Sequence, residues 1–135
     1  MDIKWTDDLS VGVDSIDEQH KELIGIINNL LTAIERNYAR DEIQEVITFL
    51  KKYVETHFAM EEALMTRIKY PSGNFLEHEA QHTLFWENFN ELLELFKKDH
   101  RSPAMINTIE IVLIQWFVNH ICKTDKAIGA FVKRR

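Results

Sequence analysis

The sequence contains few of the residues that interrupt regular secondary structure. Its 135 residues include only two prolines and four glycines, whereas the two types together make up roughly 12% of average proteins. A β-sandwich or β-barrel needs frequent turns, and those turns depend largely on these residues. An all-β fold is therefore excluded.

Long apolar runs are also absent. No uninterrupted hydrophobic stretch approaches the roughly 18 residues that indicate a membrane span. Hydrophobic residues make up 45% of the chain and charged residues 28%, a balance that excludes a disordered chain. The sequence therefore predicts one soluble globular domain over residues 1–135, with no membrane insertion.

Cysteine and positive charge are scarce as well. Cys122 is the single cysteine, so no intramolecular disulfide can form. The net charge of -6 disfavours nucleic-acid binding, because phosphate contacts require a basic face. The N-terminus is acidic and contains Trp5, unlike the basic and then apolar start of a secretory signal. We therefore expect a cytoplasmic protein.

The positions of the helix breakers predict an all-α fold. Breaks occur near residues 37–41, 70–73 and 99–103. Ser102 before Pro103 is a favourable helix start, because serine caps free amides and proline at the first helical position loses no needed donor. We interpret the chain as an up-down-up-down four-helix bundle with an ordered N-terminal arm and a short C-terminal extension. The predicted ranges are 1–16 for the arm, about 17–38, 41–69, 74–98 and 103–122 for the helices, and 123–135 for the C-terminal segment.

Histidines occupy positions where leucine is expected. Each predicted helix has an apolar stripe at alternating three- and four-residue steps, and five of the six histidines and one glutamate lie on these stripes. A single core histidine is more often satisfied by one hydrogen bond than by a metal. In this bundle, however, all six side chains share one half, and so many imidazoles without a metal would leave donors and acceptors unpaired. The six are His20, His57, Glu61, His78, His82 and His120.

A seventh candidate ligand is separated from its partner by an unusual spacing. Asp125 lies five residues after His120, about 140° further around a regular helix. It can point inward only if the helix ends or loosens into a wider turn, so we predict irregular backbone between Ile121 and Asp125. Five imidazoles and two carboxylates exceed the four ligands of a structural zinc and suit two six-coordinate iron ions.

The order of these motifs resembles the hemerythrin family in its bacterial single-domain form. A histidine on the first helix is followed by His-x-x-x-Glu, His-x-x-x-His and His-x-x-x-x-Asp. The similarity extends to Trp5, to residues 11–13 and 16–20, and to Tyr70-Pro71. It covers nearly the whole chain.

The resemblance implies reversible dioxygen binding at a non-haem di-iron centre, and not an enzyme. In the family, dioxygen binds at an open position on one iron and is held there as hydroperoxide. One iron would carry three histidines and the other two, with two carboxylates and a solvent-derived oxo or hydroxo group bridging them. The implied ligands are His78, His82 and His120 on one iron, His20 and His57 on the other, and Glu61 and Asp125 as bridges.

Four apolar positions near the ligands predict a dry wall around the oxygen site, although ordinary core packing explains them equally well. They are Leu23, Phe58, Trp116 and Ile121. Glu62 would replace Glu61 as the bridge if the second helix were rotated from the assumed register. His100 lies in a charged stretch, and we expect it to be a solvated helix end.

Other functions fit these residues less well. Di-iron oxidases and peroxidases use more carboxylates, and this chain has a single Glu-x-x-His match, at Glu79 and His82. Oxygen or redox sensing usually needs an output domain. Iron storage does not suit a site with a fixed and complete number of ligands. The sequence does not identify the recipient of the oxygen, for which an oxygen-consuming enzyme is one candidate. Polar outward positions predict a monomer.

Overall fold

Four long helices form most of the computed structural model, which describes residues 3–100 and 102–134 except for the side chain of Cys122. Helix α1 spans Asp14–Glu35, α2 spans Arg40–Arg67, α3 spans Ser72–Lys98 and α4 spans Pro103–Arg134. The helices pack as a bundle, and no strand occurs within the described ranges. The predicted all-α four-helix fold is confirmed.

Helices α1 and α2 end where one residue adopts a left-handed conformation. Asn37 has a φ of 55° and Lys69 a φ of 57°. After Asn37, the amide of Tyr38 donates to the carbonyl of Ala33 at 2.9 Å, which closes the last turn. Helix α1 therefore ends at Glu35, three residues before the predicted end, because the chain reverses there.

Helix α4 begins as predicted but extends further. The Ser102 hydroxyl accepts a hydrogen bond from the amide of Met105 at 3.1 Å, which confirms the predicted cap. The helix does not end at residue 122, and the expected C-terminal extension 123–135 is instead its continuation as far as Arg134. Two π-helical turns, Glu110–Gln115 and His120–Asp125, widen it without ending it.

The length and apolar composition of α4 would also allow a membrane span, and it is the one helix within the described ranges of which this is true. Here the helix forms one wall of the bundle core. Met105, Ile109, Leu113 and Ile128 are all at most 1% exposed. A core helix of a globular protein commonly has this composition, so the hydropathy of α4 is weak evidence for a membrane.

The N-terminal arm lies along the bundle and is tied to α1. The side-chain amide of Asn28 pairs with the backbone of Ile3, donating at 2.7 Å and accepting at 2.9 Å. A short 3-10 turn at Asp7–Leu9 follows. Further along, Ser10 and Val11 donate hydrogen bonds to the buried Asp17. The arm therefore approaches the half of the bundle that contains the histidines.

Candidate metal centre

The seven predicted ligands lie together at one end of the bundle. Each is at most 3% exposed. Their donor atoms form two groups in which all atoms lie within 4.8 Å of one another. Glu61 belongs to both groups. The first group is Glu61, His78, His82 and His120, and the second is His20, His57, Glu61 and Asp125.

Asp125, a member of the second group, also reaches the first because the backbone of α4 widens. Residues His120–Asp125 form a π-helical turn, in which residues five apart lie on the same face. One carboxylate oxygen of Asp125 is 2.9 Å from Nε2 of His120, and the other is 2.9 Å from Nε2 of His20. The predicted departure from regular α-helix is confirmed, and it directs the carboxylate inward.

Glu61 also faces both groups through a single oxygen. Its Oε1 is 3.2 Å from Nε2 of His57, in the second group, and 3.3 Å from Nε2 of His82, in the first. The side chain of Glu62, by contrast, is 37% exposed, and its carboxylate lies 3.4 Å from Nδ1 of His82, on the far side of that ring. The register that would make Glu62 the bridge is therefore not adopted.

The chemistry of these side chains fits a metal site. Apart from these close approaches to one another, most of their nitrogen and oxygen atoms have no hydrogen-bond partner among the described residues, including both oxygens of Glu61 and of Asp125. Leaving buried polar atoms unpaired costs about 1–3 kcal/mol each. Imidazole nitrogens and carboxylate oxygens directed at common points satisfy that requirement when they bind metal ions. The residues present therefore suit a pair of metal ions.

The protonation states of Glu61 and His82 suit metal binding, whereas that of His120 opposes it. Burial alone would raise the pKa of Glu61, but the charge of His57 and contacts with the other imidazoles hold it well below its ordinary value. Burial lowers the pKa of His82. Burial acts in the same direction on His120, but Asp125 and Glu61 outweigh it and raise the pKa of His120 to about 9. At neutral pH Glu61 is therefore an anion, and His120 must release a proton to bind a metal.

Two polar residues outside the predicted set orient ligand rings. Nδ1 of His57 donates to Oε1 of Gln19 at 2.7 Å, and Nδ1 of His82 lies 3.4 Å from the Glu62 carboxylate. Such partners fix the ring orientation of metal-binding histidines and direct the other nitrogen at the metal. Neither residue is predicted from the sequence to have this role. Their adjacency to His20 and Glu61 in the sequence is the one signal that could have identified them.

Aromatic side chains enclose the first group. Phe58 stacks on His82 with centroids 3.7 Å apart, and Trp116 stacks on His120 at 4.7 Å. Leu23 and Ile121, the other two predicted wall residues, are 1% and 0% exposed. Phe117, which is not among the predicted wall residues, meets the ring of His20 edge-on at 5.5 Å.

His100 lies far from these groups. It follows the end of α3, about 24 Å along the helix axis from His82. The ring is half-buried and packs 6.1 Å from the ring of Phe96, and its Nε2 is enclosed without a partner among the described residues. The expectation of a solvated helix end was wrong, because the turn folds the ring back against the core.

Comparison with known proteins gives consistent matches. The hemerythrin HHE cation binding domain family matches residues 11–132. Bacteriohemerythrin from Stenotrophomonas maltophilia is 33% identical over 96% of this chain and 80% of its own length. Bacteriohemerythrin from Methylococcus capsulatus is 34% identical over 93% of this chain and 92% of its own length. The crystal structure of a wild-type hemerythrin superposes with a TM-score of 0.82 at 29% identity, covering 96% of this chain and 97% of that one.

Proposed function

The chain belongs to the hemerythrin family, and from this premise we propose that it binds dioxygen reversibly at two iron ions held by the seven buried side chains. Its hemerythrin and bacteriohemerythrin relatives are oxygen-binding proteins and not enzymes. The observation that carries the proposal is the pair of overlapping donor groups, which share Glu61 and contain unequal numbers of imidazoles.

We assign the ligands according to these groups. Three imidazoles, two carboxylates and a solvent-derived oxo or hydroxo group would supply six donors to one iron. Two imidazoles with the same two carboxylates and solvent-derived group would supply only five to the other, which would leave a position for dioxygen. The residues that would hold the first iron are His78, His82 and His120, those that would hold the second are His20 and His57, and Glu61 and Asp125 would be shared by both.

The protein contributes orientation and the exclusion of water. Two ferrous ions would supply the two electrons that reversible dioxygen binding requires and take them back on release. Gln19 and Glu62 hold the rings of His57 and His82 in place. Phe58 and Trp116 cover two rings of the first group, and Leu23 and Ile121 add buried apolar surface. We propose that Phe58 and Trp116 keep water and anions away from the first group, and that Leu23, one turn from His20, does so at the second group, where dioxygen would bind.

The proposal is tested by absorption spectroscopy with iron counting. Iron-loaded protein is reduced with dithionite, exposed to air and then flushed with argon, while iron per chain is quantified. We expect two irons per chain and a visible charge-transfer band that appears in air and disappears under argon. His100→Ala should behave like the wild type, and Asp125→Ala should lose iron. Irreversible oxidation of the wild type with no oxygenated form would contradict oxygen carriage.

We further propose that the chain acts as a single-domain cytoplasmic monomer that delivers oxygen to an oxygen-consuming enzyme. Many exposed outward positions of α2 and α3 are charged, which supports the monomer. They include Lys51, Lys52, Glu55, Glu87, Glu91 and Glu94. Sedimentation equilibrium tests this part, since a stable dimer would contradict it.

A further inference from the structure

The N-terminal arm crosses α4 at a point where only a glycine fits. Gly129 is buried, and a Cβ atom placed on it would lie 1.6 Å from the backbone oxygen of Val11 and 2.8 Å from its carbonyl carbon. Glycine is unfavourable inside a helix relative to alanine. Its presence here is explained by the close approach of the Val11 peptide to the helix backbone.

The same segment of the arm is bonded to α1. The amide of Val11 donates to Oδ1 of Asp17 at 2.9 Å, and the Ser10 hydroxyl donates to Oδ2 at 2.6 Å. Asp17 is only 8% exposed, and these two donors satisfy both of its oxygens. The arm therefore holds α1 on one side and rests on α4 on the other.

Both contacts lie one turn from residues of the metal centre. Asp17 precedes His20 by three residues, and Gly129 follows Asp125 by four, so each pair shares a helix face. His20 and Asp125 approach each other to 2.9 Å. The arm thus joins the two helices directly beside the contact between these two ligands.

The segment of α4 beside the arm has an uncommon backbone conformation. Asp125 ends the π-helical turn His120–Asp125, and regular α-helix resumes at Lys126. Such turns are rare and often occur at functional sites. If α4 moved away from α1, the chain could regain regular α-helix, and Asp125 would rotate away from His20.

We propose that the contact between Val11 and Gly129 positions Asp125 at the second metal group, so that Gly129 and Asp17 are positioning residues. The inference rests on the proposed function, because it assumes that Asp125 binds metal. The second group has two imidazoles and the first has three, so the loss of the Asp125 carboxylate would remove a larger share of the ligands from the second. Displacing the arm should therefore lower the metal affinity of the second group more than that of the first.

The test compares two glycine substitutions. Gly129→Ala pushes the Val11 carbonyl away, whereas Gly25→Ala lies on α1 with nothing within 4 Å of the added Cβ. Metal-free protein is titrated with Co2+ alone, and the visible absorption bands are followed. We expect the wild type and Gly25→Ala each to bind two equivalents of Co2+. In Gly129→Ala, the second equivalent should bind about tenfold or more weakly, with the first unchanged.

Amide hydrogen exchange of the metal-free proteins gives a second readout that does not depend on metal. Gly129→Ala should speed exchange across residues 121–128 relative to Gly25→Ala. Ser10→Ala removes one bond to Asp17 and should shift both measurements in the same direction by a smaller amount. This variant tests the proposal even if Gly129→Ala fails to fold.

The remaining outcomes overturn the inference. If both equivalents weaken equally together with global stability, the contact is ordinary packing. If neither the titration nor the exchange of residues 121–128 changes, the arm does not position Asp125. A wild-type protein that takes fewer than two Co2+ ions would overturn the di-iron proposal and this inference with it. Equal weakening of both equivalents in the variants alone, with two Co2+ ions bound by the wild type, would overturn this inference and leave the di-iron proposal standing.

Discussion

Phe58 lies face to face with the ring of His82, with centroids 3.7 Å apart and an angle of 6° between the planes. The same phenylalanine lines a surface cleft of about 240 Å³ between α2 and α3, together with Glu62, His82 and Trp86. Phe58 therefore covers one face of a candidate iron ligand at a cleft that both residues line. Its ring is 6% exposed.

Replacing Phe58 with leucine should shorten the lifetime of the oxygenated protein. Leucine keeps the site apolar but removes the stacked ring, so water can reach His82 from the cleft more easily. We expect faster oxidation with unchanged iron content, followed as the decay of the charge-transfer band in air. Phe49→Leu is the matched control, because Phe49 lies on the same helix and is 58% exposed. Equal decay in the two variants would contradict a barrier role for Phe58.

Leu23→Ala should also speed oxidation of the oxygenated protein, and this effect can be separated from the loss of folding stability. Leu23 is 1% exposed and lies one turn from His20, so truncation opens a cavity beside the second metal group. Leucine-to-alanine changes in a core cost about 2–5 kcal/mol of unfolding free energy.

Leu30→Ala provides the comparison for Leu23→Ala. Leu30 is 0% exposed and lies about two turns further along α1. We expect similar losses of unfolding free energy in urea for both variants, with faster oxidation in Leu23→Ala alone. If oxidation speeds up equally in both variants, the cause is a general loss of stability, and Leu23 does not specifically shield the metal centre.

The ligand positions could be predicted from the sequence because helical periodicity alone places them on the inner faces. Asp125 could be predicted as a ligand only if the helix departs from regular α-helix, since its five-residue spacing from His120 requires a wider turn that the sequence does not specify. Nothing in the sequence distinguished a widened helix from an ended one, and for this reason α4 was expected to stop at residue 122. The π-helical turn Glu110–Gln115 was not predicted at all, because its residues show no unusual spacing.

The partners of the ligands depend on contacts between helices. Gln19 reaches His57 across 38 residues of sequence, and the sequence offers no way to fix that side-chain orientation. The approach of Val11 to Gly129 likewise depends on where the N-terminal arm packs against α4. Periodicity specifies which face of a helix points inward, but not which polar atoms meet there.

Lys69→Gly should stabilise the fold. Lys69 adopts a φ of 57° at the end of α2, a conformation that costs an ordinary residue roughly 1–2 kcal/mol and that glycine adopts freely. We expect the unfolding free energy of the metal-free protein to rise by about 1 kcal/mol, measured in urea. Asn37→Gly should gain less, since asparagine tolerates this conformation. A loss of stability in Lys69→Gly would show that the lysine side chain makes a contact worth more than the backbone strain.

Metal binding should release a proton from His120 in a defined pH range. In the metal-free protein the pKa of His120 is raised from 6.5 to about 9, since Asp125 and Glu61 outweigh the opposing effect of burial. The folded state thus holds this proton more tightly than the unfolded state does. The resulting stability is fully present below pH 6.5 and is lost as the pH rises through about 9.

A metal ion binds the unprotonated imidazole, so it must displace that proton wherever His120 is still charged. Adding Zn2+ to weakly buffered metal-free protein with a pH indicator should release more acid at about pH 8 than at about pH 10, where the imidazole is already neutral. The acid that Zn2+ releases by hydrolysis in the same solution without protein is subtracted at each pH. His100→Ala should give the same release, because His100 lies at the far end of α3. Release that is as large at the higher pH would mean that the carboxylates do not hold His120 in its charged form.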